Sequence, residues 1–141
     1  MAGYSGTPLA KKLGIKPESR LLLVNAPDGF ATEDLAELPP GVKVHTRPSG
    51  PAYDVVVVFV RSEAELVKRF APLTKRITSA GRLWVAWPRK AGGYDSDMSE
   101  NAIRDLAVDL GLVDNKVAAI SAAWSGLQIV YRLKDRPGMS R

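Results

Sequence analysis

The chain has 141 residues, 45% of them hydrophobic and 25% charged, with no cysteine. This is the composition of one ordinary globular core. It excludes disulfide frameworks, thiolate metal sites and cysteine nucleophiles, and no run approaches the ~20 apolar residues that cross a bilayer. The net charge of +5 sits at the two ends: residues 1–20 sum to +3 and residues 131–141 to +3, which leaves −1 for everything between. Nucleic-acid binders gather charge into a groove or onto a reading helix, so these ends read as solvated and nucleic acid is not expected as a partner. Residues 1–16 contain no continuous apolar h-region, and the chain reads as cytoplasmic, with no membrane partner. Composition leaves the oligomeric state open.

In chain order, residues 7–14 read as a short helix, with Thr7 as cap, Pro8 at the first helical position and Gly14 at the exit. A turn around Pro17 leads to a buried strand over 20–25, rich in leucine. The loop Ala26-Pro27-Asp28-Gly29-Phe30 feeds a modest helix over 32–38, which Pro39-Pro40-Gly41 stops. Residues 42–47 alternate in polarity and form a strand near the sheet edge.

Next comes the most informative stretch, 52–60, with the unbroken run Val55-Val56-Val57-Val58-Phe59-Val60. A run this short, apolar and β-branched reads as a central parallel strand covered on both faces. Ser62-Glu63-Ala64-Glu65 has the form of a capping box. Leu66, Phe70, Leu73 and Ile77 then share one helical face, in a helix that Pro72 should kink or interrupt. Ser79-Ala80-Gly81 turns into a strand over 82–87, followed by a loop over 88–96. Asp97 can cap a helix over 98–110, with Ile103, Leu106, Ala107 and Leu110 on one face. Residues 117–120 and 127–131 are strands joined through Trp124-Ser125-Gly126, a link short enough for an antiparallel hairpin.

This order of elements predicts a three-layer α/β, Rossmann-like fold. Over residues 15–133 it resembles a shortened S-adenosylmethionine-dependent methyltransferase fold that lacks the third strand and its helix. The resemblance implies a mostly parallel sheet of about six strands in the order 2-1-3-4-6-5, the last strand antiparallel. We expect one domain over 1–133 and a flexible basic tail over 134–141.

In that methyltransferase family the first strand ends in an acidic residue and a Gly-x-Gly-x-Gly turn. Here the stretch is Leu23-Val24-Asn25-Ala26-Pro27-Asp28-Gly29, and only Gly29 matches. Pro27 has φ fixed near −65° and no amide hydrogen, so it can neither take a positive-φ turn nor donate to a ligand. The end of the second strand carries Thr46-Arg47 where an acidic residue would hold ribose hydroxyls. No cofactor is therefore expected.

A second resemblance covers the whole chain. Tyr4-Ser5-Gly6-Thr7-Pro8-Leu9, Lys12-Leu13-Gly14, Asn25-Ala26-Pro27, Trp87-Pro88-Arg89-Lys90 and Trp124-Ser125-Gly126 together resemble a family of small bacterial proteins of unknown function. That resemblance implies no activity.

In such a sheet ligands bind beyond the carboxyl ends of the parallel strands, near the switch in strand order. That edge should gather Asn25 and Asp28, Arg61, Trp87 with Arg89 and Lys90, and Trp124 with Ser125. The first helix should point its N-terminus, with Tyr4, Ser5 and Thr7, to the same edge. These are the candidate ligand-binding residues. The same residues also have purely structural uses: tryptophans cover sheet ends, and Asn, Pro, Asp and Gly build turns. His45 is the sole histidine and has no metal partner at ligand spacing, while Asp95, Asp97 and Glu100 read as helix-start electrostatics. No catalytic set and no metal site emerges. The expected function is a non-catalytic binding module for a small ligand, anionic or neutral, or a protein segment, with a transferase of altered cofactor site as the alternative.

Overall fold

The valine run becomes β3 (Tyr53–Phe59), third in a six-stranded sheet ordered β2-β1-β3-β4-β6-β5. The computed structural model describes residues 9–30, 35, 37–88, 100–121 and 123–132. On one side β3 pairs in parallel with β1 (Arg20–Val24), which in turn pairs with the short β2 (Lys43–His45). On the other it pairs in parallel with β4 (Ile77–Pro88). β6 (Trp124–Tyr131) then inserts antiparallel between β4 and β5 (Leu112–Ala119). Strand order and the antiparallel last strand are those expected.

Two-sided burial follows from the alternation of side chains along β3. Val56, Val58 and Val60 pack with Leu66, Phe70 and Leu73 of α2 (Glu63–Thr74) and with Ile103 and Ala107 of α3 (Glu100–Asp109). Val55, Val57 and Phe59 face the other layer, with Ala10 and Leu13 of α1 (Leu9–Leu13), Ile15, Phe30 and Leu35. A continuous apolar run is thus what both layers require.

Several boundaries differ from expectation. β4 begins at Ile77, which pairs with Tyr53, so Ile77 belongs to the sheet and not to the helix face. The register between β3 and β4 shifts after that pair, and the polar, glycine-containing residues 78–81 lie in the shift. β5 starts at Leu112, five residues earlier than its apolar segment suggests, with an irregularity between Asp114 and Lys116. Trp124-Ser125-Gly126 lies inside β6 and not in the turn, because Trp124 pairs with Pro88 and Ser125 with both Trp87 and Ala119. Gly126 is needed there: a Cβ on it would lie 2.6 Å from Ile120 Cδ1 and 3.1 Å from Trp84 Cε3.

Among the helices, α2 runs through Pro72, which removes one backbone hydrogen bond from its last turn, and ends two residues later at Thr74. Leu110 falls beyond the end of α3 and is exposed. The expected helix over 32–38 and the cap Asp97 lie largely outside the described residues; Glu37 and Leu38, which are described, are not helical.

The connection from β2 to β3 is unusual for a parallel sheet. Crossovers between parallel strands typically need a dozen or more residues and a helix, yet here only residues 46–52 intervene and none is helical. Side chains hold this short strap in place. The Tyr53 hydroxyl sits 3.0 Å from both the amide and the carbonyl of Ser49 and 2.7 Å from His45 Nδ1. The Arg20 guanidinium lies over the Tyr53 ring at 4.6 Å and donates to the carbonyls of Ser49 (2.6 Å) and Pro51 (3.1 Å). His45 is therefore a half-buried partner of the strap, in the edge strand as expected.

Candidate functional site

Strand order switches at β1 and β3. The chain leaves β1 toward the layer holding Phe30 and Leu35, and leaves β3 toward the layer holding α2. Val24 and Val58 are in register, so Asn25 and the residues after Phe59 form the two lips of one crevice. Asn25 adopts φ 61°, in the left-handed region that asparagine tolerates better than most residues. Gly29, at φ 84°, completes the turn around Pro27.

Across this crevice lies Glu65, a residue the sequence marks only as part of a capping box. Its amide bonds the Ser62 Oγ at 3.2 Å, with Ser62 as the extended N-cap of α2. Its carboxylate, however, accepts from the backbone amide of Arg61 at 2.8 Å, one residue before the cap. The other carboxylate oxygen accepts from Asn25 Nδ2 at 3.0 Å. Arg69 Nε stands 3.6 Å from that same oxygen. The carboxylate thus joins the lips of β1 and β3 directly.

Beneath the rim runs an aromatic file. Phe30 meets Phe59 edge to face (centroids 4.9 Å, 71°), Phe59 meets Trp124 likewise (5.1 Å, 84°), and the Arg61 guanidinium lies 5.0 Å from the Trp124 ring centroid. Such contacts are worth about 0.5–1.5 kcal/mol for each ring pair and about 0.5–1 kcal/mol for an exposed cation over a ring. Asn25, Arg61 and Trp124, expected at one edge, do meet there, linked through Glu65 and Phe59.

Trp87 and Trp124, both expected at this edge, lie on opposite faces of the sheet. Trp87 packs in the core shared with α2 and α3, whereas Trp124 packs in the opposite layer. Both are mostly buried, at 9% and 3% exposed, so only their edges reach the rim. Ser125 is half-buried beside Trp87, and Asp28 is exposed in the turn after β1. Tyr4, Ser5, Thr7, Arg89 and Lys90 lie outside the described residues, as do Asp95 and Asp97. Glu100 pairs with Arg104 at 2.7 Å, and Arg104 also pairs with Asp114 at 3.0 Å. Among the described residues, no group of three His, Asp or Glu side chains could hold a metal ion.

An S-adenosylmethionine cofactor does not fit these residues. β2 ends at His45 without a carboxylate for ribose hydroxyls, Thr46 and Arg47 being exposed there.

The fold defines the class: a methyltransferase-like Rossmann sheet. It is shared with a ribosomal protein L11 methylase from Lactobacillus delbrueckii subsp. bulgaricus (TM-score 0.61, 10% identity, covering 88% of this chain and 75% of that one). It is shared also with a magnesium protoporphyrin IX methyltransferase from Synechocystis PCC 6803 (TM-score 0.57, 12% identity, 88% and 74%). A SAM dependent methyltransferase from Aquifex aeolicus is similar too (TM-score 0.58, 15% identity, 86% of each chain). At such identities the likeness is one of fold alone. Within that class, the chain belongs to the family described as Protein of unknown function (DUF3052), whose family model matches residues 39–133. No curated protein matches the chain significantly.

Proposed function

We propose that the protein is a non-catalytic binding module that holds a small anionic ligand, or an acidic protein segment, at the carboxyl edge of its sheet. The observation that carries this reading is the exposed Arg61 set over Trp124 at the strand-order switch, beside Asn25 and the α2 N-terminus. Such an edge is where open α/β sheets receive ligands, and backbone amides with a guanidinium suit an anion. Trp87, Ser125 and Asp28 would border the site, with Tyr4, Ser5, Thr7, Arg89 and Lys90 completing it. The basic tail over 134–141 takes no part.

A transferase remains the second reading, favoured by the fold. One fold hosts many functions, and among the described residues neither a metal cluster nor a carboxylate for ribose supports it. Isothermal calorimetry and thermal shift with S-adenosylmethionine, nucleotides and inorganic phosphate separate the two, since a ligand raises apparent stability by RT ln(1 + [L]/Kd). We expect no micromolar binding of S-adenosylmethionine and a salt-sensitive anion response lost in Arg61→Ala. Micromolar affinity for S-adenosylmethionine would return the protein to the transferases.

A further inference from the structure

We propose that Glu65 is the built-in occupant of a carboxylate seat, and that the ligand of this rim carries a carboxylate which takes Glu65's place. The proposal rests on the reading of the rim as an anion-binding edge and names the chemistry it accepts. Three donors from three parts of the fold converge on this side chain: Asn25 Nδ2 at 3.0 Å on one oxygen, the Arg61 amide at 2.8 Å on the other, and Arg69 Nε at 3.6 Å from the first. Two oxygens of one planar group, each given its own donor, is a fork that a free carboxylate reproduces and a single-atom anion does not.

Nothing in the helix cap requires this arrangement. The capping box would be satisfied by a bond from Glu65 back to the amide of Ser62, the cap residue itself. Instead the carboxylate reaches past the cap to Arg61 and across the crevice to Asn25, an asparagine held at φ 61°. Arg69 Nε is buried and pairs with the Glu65 carboxylate only at 3.6 Å, too long for a hydrogen bond, so the present occupant leaves the hydrogen-bonding capacity of this donor unfilled. The Glu65 side chain is 29% exposed and both its carboxylate bonds, to Asn25 and to the Arg61 amide, lie in exposed surroundings, which lets it swing away without opening the core.

A tethered group competes as if present at an effective concentration in the millimolar range. Simple carboxylates will therefore enter the wild-type seat only at high concentration, and a physiological ligand needs further contacts, which Arg61 over Trp124 supplies. Emptying the seat removes the competitor.

The test compares wild type, Glu65→Ala and Glu65→Gln, titrated with sodium formate, acetate and phosphate at constant ionic strength. Thermal midpoints and the NMR shifts of the Arg61 backbone amide and the Asn25 side-chain amide are followed. In Glu65→Ala, formate and acetate should raise the midpoint saturably and move both amides, with half-saturation at least about tenfold lower than in wild type. Adding Asn25→Ala to that variant should cancel the response. Should Glu65→Ala fold poorly, Glu65→Gln, which keeps the side chain but loses one acceptor, should still let acetate shift the Arg61 amide more than in wild type. Carboxylates acting no differently from chloride in both variants would overturn the proposal. A failed seat beside an intact, Arg61-dependent anion response would leave the rim reading standing; loss of that response as well would remove both.

Discussion

Tyr131 shows how one side chain ties two elements and gives them a pH limit. Its hydroxyl donates to the Thr74 carbonyl at 2.6 Å, joining the end of β6 to the end of α2. Burial raises its pKa above the ordinary value of 10.0. The neutral phenol is thus favoured in the folded state, so its contribution is complete below about pH 10 and is lost as pH rises through the folded value. Thermal midpoints measured from pH 9 upward should fall for wild type, and Tyr131→Phe should start lower and fall less steeply. Legibility at this scale was uneven. The sequence singles out Asn25, Arg61 and Trp124 as chemistry-bearing residues at strand ends, and the rim brings them together. It does not single out Glu65, because an S-x-x-E signature accounts for that residue locally while its second partner lies 40 positions away.

At the scale of elements, α2 rests on its cap. Ser62 accepts from the Glu65 amide in an extended conformation, so Ser62→Ala should cost about 1 kcal/mol of stability, read as a lower denaturation midpoint with an unchanged slope. β1, β3 and α2 were visible in the sequence because pattern and environment coincide: buried elements have apolar runs or faces. β5 was half hidden. Its first residues include Asp114, Asn115 and Lys116, which serve Arg104, Gln128 and the Lys12 carbonyl from an edge strand, so polarity there reflects neighbours and not a loop. The start of β4 was obscured in the same way by Thr78, Ser79 and Gly81, residues of turn chemistry lying in a register shift. Such shifts depend on the partner strand, which a local pattern does not contain.

For the whole molecule the decisive feature is that one strand serves two cores. Val57 is fully buried between β1 and β4, in the layer with Leu13, Phe30 and Trp84. Val57→Asp would place a carboxylate there without a partner, at a cost of several kcal/mol. That is a large part of the 5–15 kcal/mol that typically holds a domain together. The variant should be insoluble or show no cooperative melt, which circular dichroism would report. Strand order was readable at this scale because connection lengths and hydrophobic runs restrict how the chain can wind. The facing of Trp87 and Trp124 was not, since it depends on which side of the sheet each residue of an antiparallel pair points.

The short strap over residues 46–52 also sets where the molecule opens first. β2 has three residues and a single neighbour, Lys43 and Val44 are exposed, and no helix lies over the connection that follows. Local openings follow low contact density, so amide hydrogens of β2 should exchange at a small fraction of the global unfolding free energy, while those of Val56, Val57 and Val58 exchange only with global unfolding. Each opening would bare the outer edge of β1, a row of leucines with unpaired backbone groups of the kind that recruits other strands. Arg20 and Tyr53 would then act as a latch against aggregation, and a Tyr53→Phe chain, lacking the hydroxyl that grips Ser49 and His45, should exchange β2 faster and cloud sooner on warming than wild type.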